Sequence, residues 1–275
     1  MELTDMSDGT IVERTPLEIP EGFGEAQSYL HRVIIEDITY LSDGLKVKGY
    51  LIRPLAKNLP GASTKAKTSS PLPCLVYNRG GNREFGALTP ERVFTYLAQM
   101  ASWGYVVAAS QYRGNMGGEG QEEFGGRDIN DVLNLIPLLE GLSEADSSRI
   151  GIVGGSRGGL MTYKALTMSS RFKAAAVRCG VSDLVRMGQE RKEMDEVYQD
   201  LIPDFDPENR DTLKSRSPIF WAEEMERQVP ILIVHGTADW RVNPLASIRM
   251  AERLLELQHP FRLVLLEGAD HALSE

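Results

Sequence analysis

Near its start the chain alternates apolar and polar residues, and further on it changes to a different rhythm. Residues 31–40 and 45–54 are rich in β-branched and aromatic side chains, with Leu41-Ser42-Asp43-Gly44 between them. That pattern predicts two antiparallel strands joined as a hairpin. Residues 57–70 are rich in Ser, Thr, Lys and Ala and predict a solvent loop. Beyond them, compact apolar runs at 72–77, 105–110, 150–153, 172–179, 231–235 and 263–266 read as buried strands. Between these runs, residues 90–103, 128–139, 158–169 and 244–257 place apolar side chains three and four apart, as amphipathic helices do. In the last of them Leu245, Ile248, Ala251, Leu254 and Leu255 share one helical face, which is predicted to pack in the core. Strands alternating with helices predict an α/β protein with a mostly parallel central sheet flanked by helices. Residues 181–228 break the rhythm: they are charged, carry Met, Tyr, Phe and Trp, and are longer than an ordinary connection. They are expected to form an inserted, lid-like segment.

Composition narrows the picture. A chain of 275 residues with 42% hydrophobic and 25% charged residues can build one large core. A single domain over 1–275 is expected, with 1–30 as an N-terminal extension. The net charge of -9 argues against a nucleic-acid partner, which would require a basic patch. No apolar run approaches the length of a membrane span, and the first twenty residues lack a signal-peptide core, so the expected location is cytoplasmic. Cys74 and Cys179 sit in or beside apolar runs and read as free, buried thiols.

The chemistry is concentrated in Gly154-Gly155-Ser156-Arg157-Gly158, which follows an apolar strand and opens a helix. A serine between glycines in that context is a nucleophile elbow, since glycines two before and two after let the strand and helix backbones pass closely. The amide of Arg157, at a helix N-terminus, then faces the space above Ser156 as an oxyanion donor. The glycine-rich turn after residues 72–77, Asn78-Arg79-Gly80-Gly81-Asn82, is expected to supply further donors from Gly81 and Asn82. No Gly-x-Gly-x-x-Gly or Walker sequence is present, so nucleotide binding has no support. Four histidines allow elimination of the general base: His31 begins an early strand, His259 lies in a helix-to-strand turn, and His235 precedes a glycine at a strand end, a structural setting. His271 follows the last strand, where this fold delivers its histidine, and Asp239 follows the strand before it, giving the order Ser, Asp, His. Asp183 and Asp270 are rivals for the acid. No His/Cys cluster has metal-ligand spacing, so neither metal nor cofactor is expected.

From about Ile38 to its end the chain resembles the catalytic domain of the prolyl oligopeptidase family of serine peptidases. The matching residues are Tyr40-Leu41-Ser42-Asp43-Gly44, Arg79-Gly80-Gly81, Tyr112-Arg113-Gly114 with Gly117-Gly118 and Phe124, the elbow, Ser217-Pro218, His235-Gly236 with Asp239, and His271. The resemblance implies an α/β-hydrolase fold and Ser156, Asp239 and His271 as the triad. It implies Arg241 as a contact to a substrate carbonyl. Four departures stand out. About thirty residues precede the first predicted strand, too few for the family's β-propeller. Arg79 stands where many members have His or Tyr, and is taken here as a further substrate contact. No tryptophan matches the one on which some relatives stack proline, which leaves Tyr198, Phe205 and Trp221 as candidate lining. The chain ends four residues beyond His271, where the family normally adds a helix. The expected activity is hydrolysis of amide bonds in short peptides, with a carboxylesterase acting on small acyl esters as the alternative and a non-catalytic binding protein as the reading from another class. A homo-oligomer stays open.

Overall fold

The computed structural model of the chain describes residues 7–19, 21–55 and 70–274. The predicted loop at 57–70 lies, apart from Ser70, outside the described residues. The strands are β1 (Ile11–Pro16), β2 (Val33–Ser42), β3 (Leu45–Pro54), β4 (Leu72–Asn78), β5 (Val106–Ser110), β6 (Ala145–Gly155), β7 (Phe172–Arg178), β8 (Ile231–Gly236) and β9 (Phe261–Leu266). They distribute over two compact units. One comprises Met1–Tyr77, Ala87–Gly120 and Asn130–Gly151, the other Asn78–Gly86, Gln121–Ile129 and Ile152–Glu275.

In the first unit the strand order is β1-β2-β3-β5-β4-β6. β2 and β3 form the predicted hairpin, with Ser42 opposite Leu45. Asp43 and Gly44 form a two-residue turn in which both φ angles are positive, at 52° and 73°. The type I′ turn demands that sign, and it matches the twist of the paired strands. β1 lies within the stretch expected to be a mere extension, and it pairs antiparallel with β2. Its Glu13, Arg14 and Thr15 are exposed, as suits an edge strand. β3 also pairs antiparallel with β5, Gly49 opposite Ser110. Ile35, Ile52 and Val107 from these strands pack with Leu97, Ala98 and Ala101. The last three belong to the helical run Pro90–Arg92, Val93–Leu97 and Ala98–Ser102, whose middle segment is a π-helix. Buried Arg113 closes this unit's polar interior. Its Nε and Nη2 donate to Asp131, Nη2 also donates to Asp43, and Asp131 accepts from the Ser42 hydroxyl at 2.7 Å.

In the second unit β6 continues through residues 152–155, and the order is β6-β7-β8-β9. β7, β8 and β9 run parallel, Ala175 opposite Ile231 and Ile231 opposite Phe261. Their carboxyl ends therefore share one edge, and the loops after β7, β8 and β9 leave from it together. In open α/β sheets that edge is where ligands bind. Between β8 and β9 runs the helix Leu245–Glu256, whose buried residues are Ser247, Met250, Ala251 and Leu254. Leu245, Ile248 and Leu255, expected in the core, are exposed. The buried face is thus rotated from the one that residue type suggests, because Ser247 has a buried partner for its hydroxyl. Residues 181–228 contain helices Leu184–Glu190, Glu193–Leu201 and Asp211–Lys214.

Candidate active site

β6 ends at Gly155, and Ser156 turns sharply into the helix Arg157–Met168 with φ 57° and ψ -124°. A positive φ at a residue with a β-carbon is strained, and such strain concentrates at functional sites. Glycines make the turn feasible: a β-carbon on Gly154 would fall 2.0 Å from the carbonyl oxygen of Gly158. The Ser156 amide donates to Arg178 O at 2.9 Å, and Ser156 O accepts from Gly159 N and Val181 N. The backbone is pinned on both sides while the side chain stays partly exposed.

The loop after β4 passes directly beside this serine. A β-carbon on Gly80 would lie 3.1 Å from Ser156 Cβ. Arg79, expected to touch substrate, is buried and donates to Gly80 O at 3.2 Å and Arg83 O at 3.0 Å. It braces the loop from within, through the carbonyls of its own loop. The Arg157 side chain, which the sequence reading did not single out, does comparable work. Only 1% exposed, it donates to Gly81 O at 3.1 Å, pairs with Glu122 and Asp128, and lies over the Phe124 ring. Glu122 also accepts from the Arg83 amide. One guanidinium thus fastens the Gly81 loop to the start of the elbow helix. Acidic residues in the glycine-rich stretch before Asp128 were the available signal.

The loops after β8 and β9 bring Asp239 and His271 together. His271 Nδ1 lies 2.7 Å from Asp239 Oδ2. The same oxygen lies 3.1 Å from His235 Nε2, while Oδ1 accepts from Arg241 N at 2.8 Å and Val242 N at 3.0 Å. Burial pushes the Asp239 carboxyl up, but the imidazoles of His235 and His271 and the Val242 amide outweigh it and hold the group well below the usual carboxylate range. The rival acids are engaged elsewhere. Asp270 Oδ1 accepts from Ala272 N and Ser274 N, and Asp183 caps the helix Leu184–Glu190 through Arg186 N. His259 Nε2 faces Val229 O at 2.8 Å, and His31 faces Gln27 O.

A cavity of about 440 Å³ opens beside Asp239, with Asp183, Arg186, Met187, Arg191 and Arg241 among its walls. Tyr198, Phe205 and Trp221, expected as lining, are all buried and lie outside those walls. Tyr198 packs edge-on against Phe124 and Phe205, and Lys164 sits over Trp221. Burying such large aromatic side chains contributes packing energy whether or not they meet a ligand. Arg241 instead stands at the rim between two exposed rings that residue spacing did not reveal, 4.7 Å from Trp240 and 5.4 Å from Phe85. Cys179, His235 and Asp239 each bring a potential ligand atom within 4.8 Å of the others. Burial pushes the Cys179 thiol up to about 11, and the His235 and Asp239 atoms are already paired, so this cluster reads as a hydrogen-bond network and not a cage for an ion.

Comparison with known proteins places the chain. Residues 92–275 match the model of the prolyl oligopeptidase family. The chain belongs to that family. It is 33% identical over 224 residues to YtmA of Bacillus subtilis, described as an uncharacterized peptidase, covering 81% of this chain and 80% of that one. Among solved structures, the puromycin-hydrolyzing peptidase of Mycobacterium tuberculosis superposes with TM-score 0.70 at 27% identity, over 83% of this chain and 34% of that chain. The acylaminoacyl peptidase of Pyrococcus horikoshii gives 0.73 at 25%, over 93% and 40%. The chain thus spans well under half of both those structures. The family and these neighbours identify the fold as an α/β-hydrolase with a mostly parallel sheet. No helix among the described residues is long and apolar enough to cross a membrane.

Proposed function

We propose that this chain is a serine peptidase hydrolysing amide bonds of short peptides through an acyl-enzyme on Ser156. The observation that carries the reading is the 2.7 Å contact between His271 Nδ1 and Asp239 Oδ2, on loops leaving the sheet edge where the elbow also ends. In that arrangement Nδ1–H donates to Asp239, so the lone pair sits on Nε2, the tautomer a general base needs. Nε2 takes the proton from Ser156 Oγ as Oγ bonds the carbonyl carbon, and the oxyanion is held by the amides of Arg157 and of the loop at Gly81 and Asn82. Collapse of that intermediate breaks the C–N bond, with the proton passing from Nε2 to the leaving amine. Water then repeats the sequence and returns the proton to Ser156. The peptidase activity of the relatives supports an amide substrate, and Arg241 at the rim is suited to receive its carbonyl. The two free, buried cysteines are in keeping with a reducing cytosol.

The test is labelling by a fluorophosphonate, expected at Ser156 and absent in Ser156→Ala, with parallel turnover of aminoacyl nitroanilides and nitrophenyl esters. Turnover of esters alone would replace the peptidase by a carboxylesterase. Folded protein that takes no label would point to a binding protein.

A further inference from the structure

We infer that His235 is a positioning residue for the Ser156 site, a second imidazole that holds Asp239 in line with His271. The inference rests on the triad reading above. His235 is completely buried, and its ring nitrogens meet three partners. Nδ1 lies 2.6 Å from the Ser247 hydroxyl, while Nε2 lies 2.9 Å from Val242 O and 3.1 Å from Asp239 Oδ2. A backbone carbonyl only accepts, so Nε2 carries the hydrogen, shared between Val242 O and the carboxylate. Nδ1 is then free to accept from Ser247, which explains why a serine faces inward from the helix Leu245–Glu256. The ring's tautomer is locked from both sides.

The consequence falls on Oδ2. That oxygen serves two imidazoles, and each constrains the other's share of it. With His235 in place Asp239 cannot rotate away from His271, and its charge is partly spent on a neutral donor. Without that donor the carboxylate would hold the His271 imidazolium more tightly, raising the pH at which the base becomes available. Other groups face this cluster, the Cys179 thiol among them as a weak further donor to the Asp239 carboxylate. The Cys179 thiol at the end of β7 holds its proton, Arg178 donates to the backbone oxygens of His271 and Ala272, and Asp270 is bonded to Ala272 N and Ser274 N.

The experiment compares His235→Phe, His235→Gln and Ser247→Ala with the wild type in pH profiles of kcat and kcat/KM. His235→Phe keeps the ring volume and removes the donor. It is expected to lower kcat about 10- to 100-fold, the scale of one lost hydrogen bond to a charged group, with KM little changed. The acid limb of its kcat/KM profile should move up by about half a pH unit or more. His235→Gln, which restores an N–H, should regain most of kcat. Should His235→Phe not fold, Ser247→Ala decides, because it keeps the ring and its Nε2–H but leaves Nδ1 without its donor, loosening the ring's hold on Oδ2; a several-fold loss with the limb displaced upward is expected. An unmoved limb in the variants that fold, or His235→Gln no better than His235→Phe, would overturn the inference. The low-field Nδ1–H proton resonance of His271, expected to shift in the variants, reads the same coupling without substrate. It therefore separates failure of this inference from failure of the Ser156 reading, which wild-type labelling reports.

Discussion

Replacing Asp239 by asparagine tests the site most severely, and the structure sets the size of the effect. The carboxylate receives four donors: two backbone amides on Oδ1 and two imidazoles on Oδ2. An amide has one acceptor oxygen. Backbone N–H groups cannot change their protonation, so the side-chain carbonyl of the introduced asparagine must face Arg241 N and Val242 N, leaving its NH₂ toward both rings. His271 is then forced to accept at Nδ1 and to carry its hydrogen on Nε2, where it cannot take the proton of Ser156. Amidation of the acid in a Ser-His-Asp triad lowers kcat by ~10⁴ through that tautomer switch. A similar loss is expected here. His235 Nε2 keeps Val242 O but loses the carboxylate at the same time, so the variant should also be less stable by about 1–3 kcal/mol. Asp270→Asn is the control. The carboxylate oxygen that it bonds with accepts two backbone amides. The asparagine carbonyl can accept both, so kcat should fall tenfold or less, within about 1.4 kcal/mol. Steady-state rates on a nitroanilide at the pH optimum, with circular dichroism on both variants, measure the ranking. A larger loss from Asp270→Asn, or retention of more than about 1% of kcat by Asp239→Asn, would refute the assignment.

Three further outcomes are expected. Arg157→Met leaves Glu122 and Asp128 buried without their cation, so stability should fall by about 3–5 kcal/mol in urea titrations, and kcat should drop in the folded fraction as Gly81 O loses its anchor. Arg113→Met should cost a similar amount through the stranded Asp131 while leaving kcat/KM of the folded protein unchanged, and a changed kcat/KM would contradict that separation. Acid should weaken the fold. Burial raises the Glu123 and Glu144 carboxyls, but hydrogen bonds and charge from Arg127 and Arg53 prevail, and these groups, like Asp239, are held below their ordinary values. The stability they contribute is present above the unfolded carboxylate range near pH 4 and lost as pH falls through the folded values, so the urea midpoint should decline below about pH 5.

What was legible in the sequence was local. The elbow is written in consecutive residues, Asp43-Gly44 names its own turn, and Asp239 and His271 follow apolar strands whose ends could be read directly. What was missed depends on partners distant in sequence. β1 is an edge strand whose charged residues face solvent, so it shows no alternation strong enough to separate it from a tail. Arg79 and Arg157 look like surface cations until the carbonyls and carboxylates that surround them are known. Ser247 looks polar and outward on a helix, yet it is buried because His235 offers its hydroxyl a partner. Tyr198, Phe205 and Trp221 have the residue types of a pocket wall, but burial and their partners Phe124 and Lys164 are not visible in the sequence.

The Arg157 cluster limits how this site can change over generations. A single guanidinium serves Gly81 O, Glu122, Asp128 and the Phe124 ring. No replacement at position 157 satisfies all four, and neutralising either acid leaves one side of the guanidinium with a weaker acceptor. Substitutions here are therefore expected to be non-additive: each is harmful alone and tolerable only alongside a matching change in its neighbours. Positions 122, 128 and 157 should vary together among descendants of this chain, and a design that alters the elbow must treat them as one unit of inheritance.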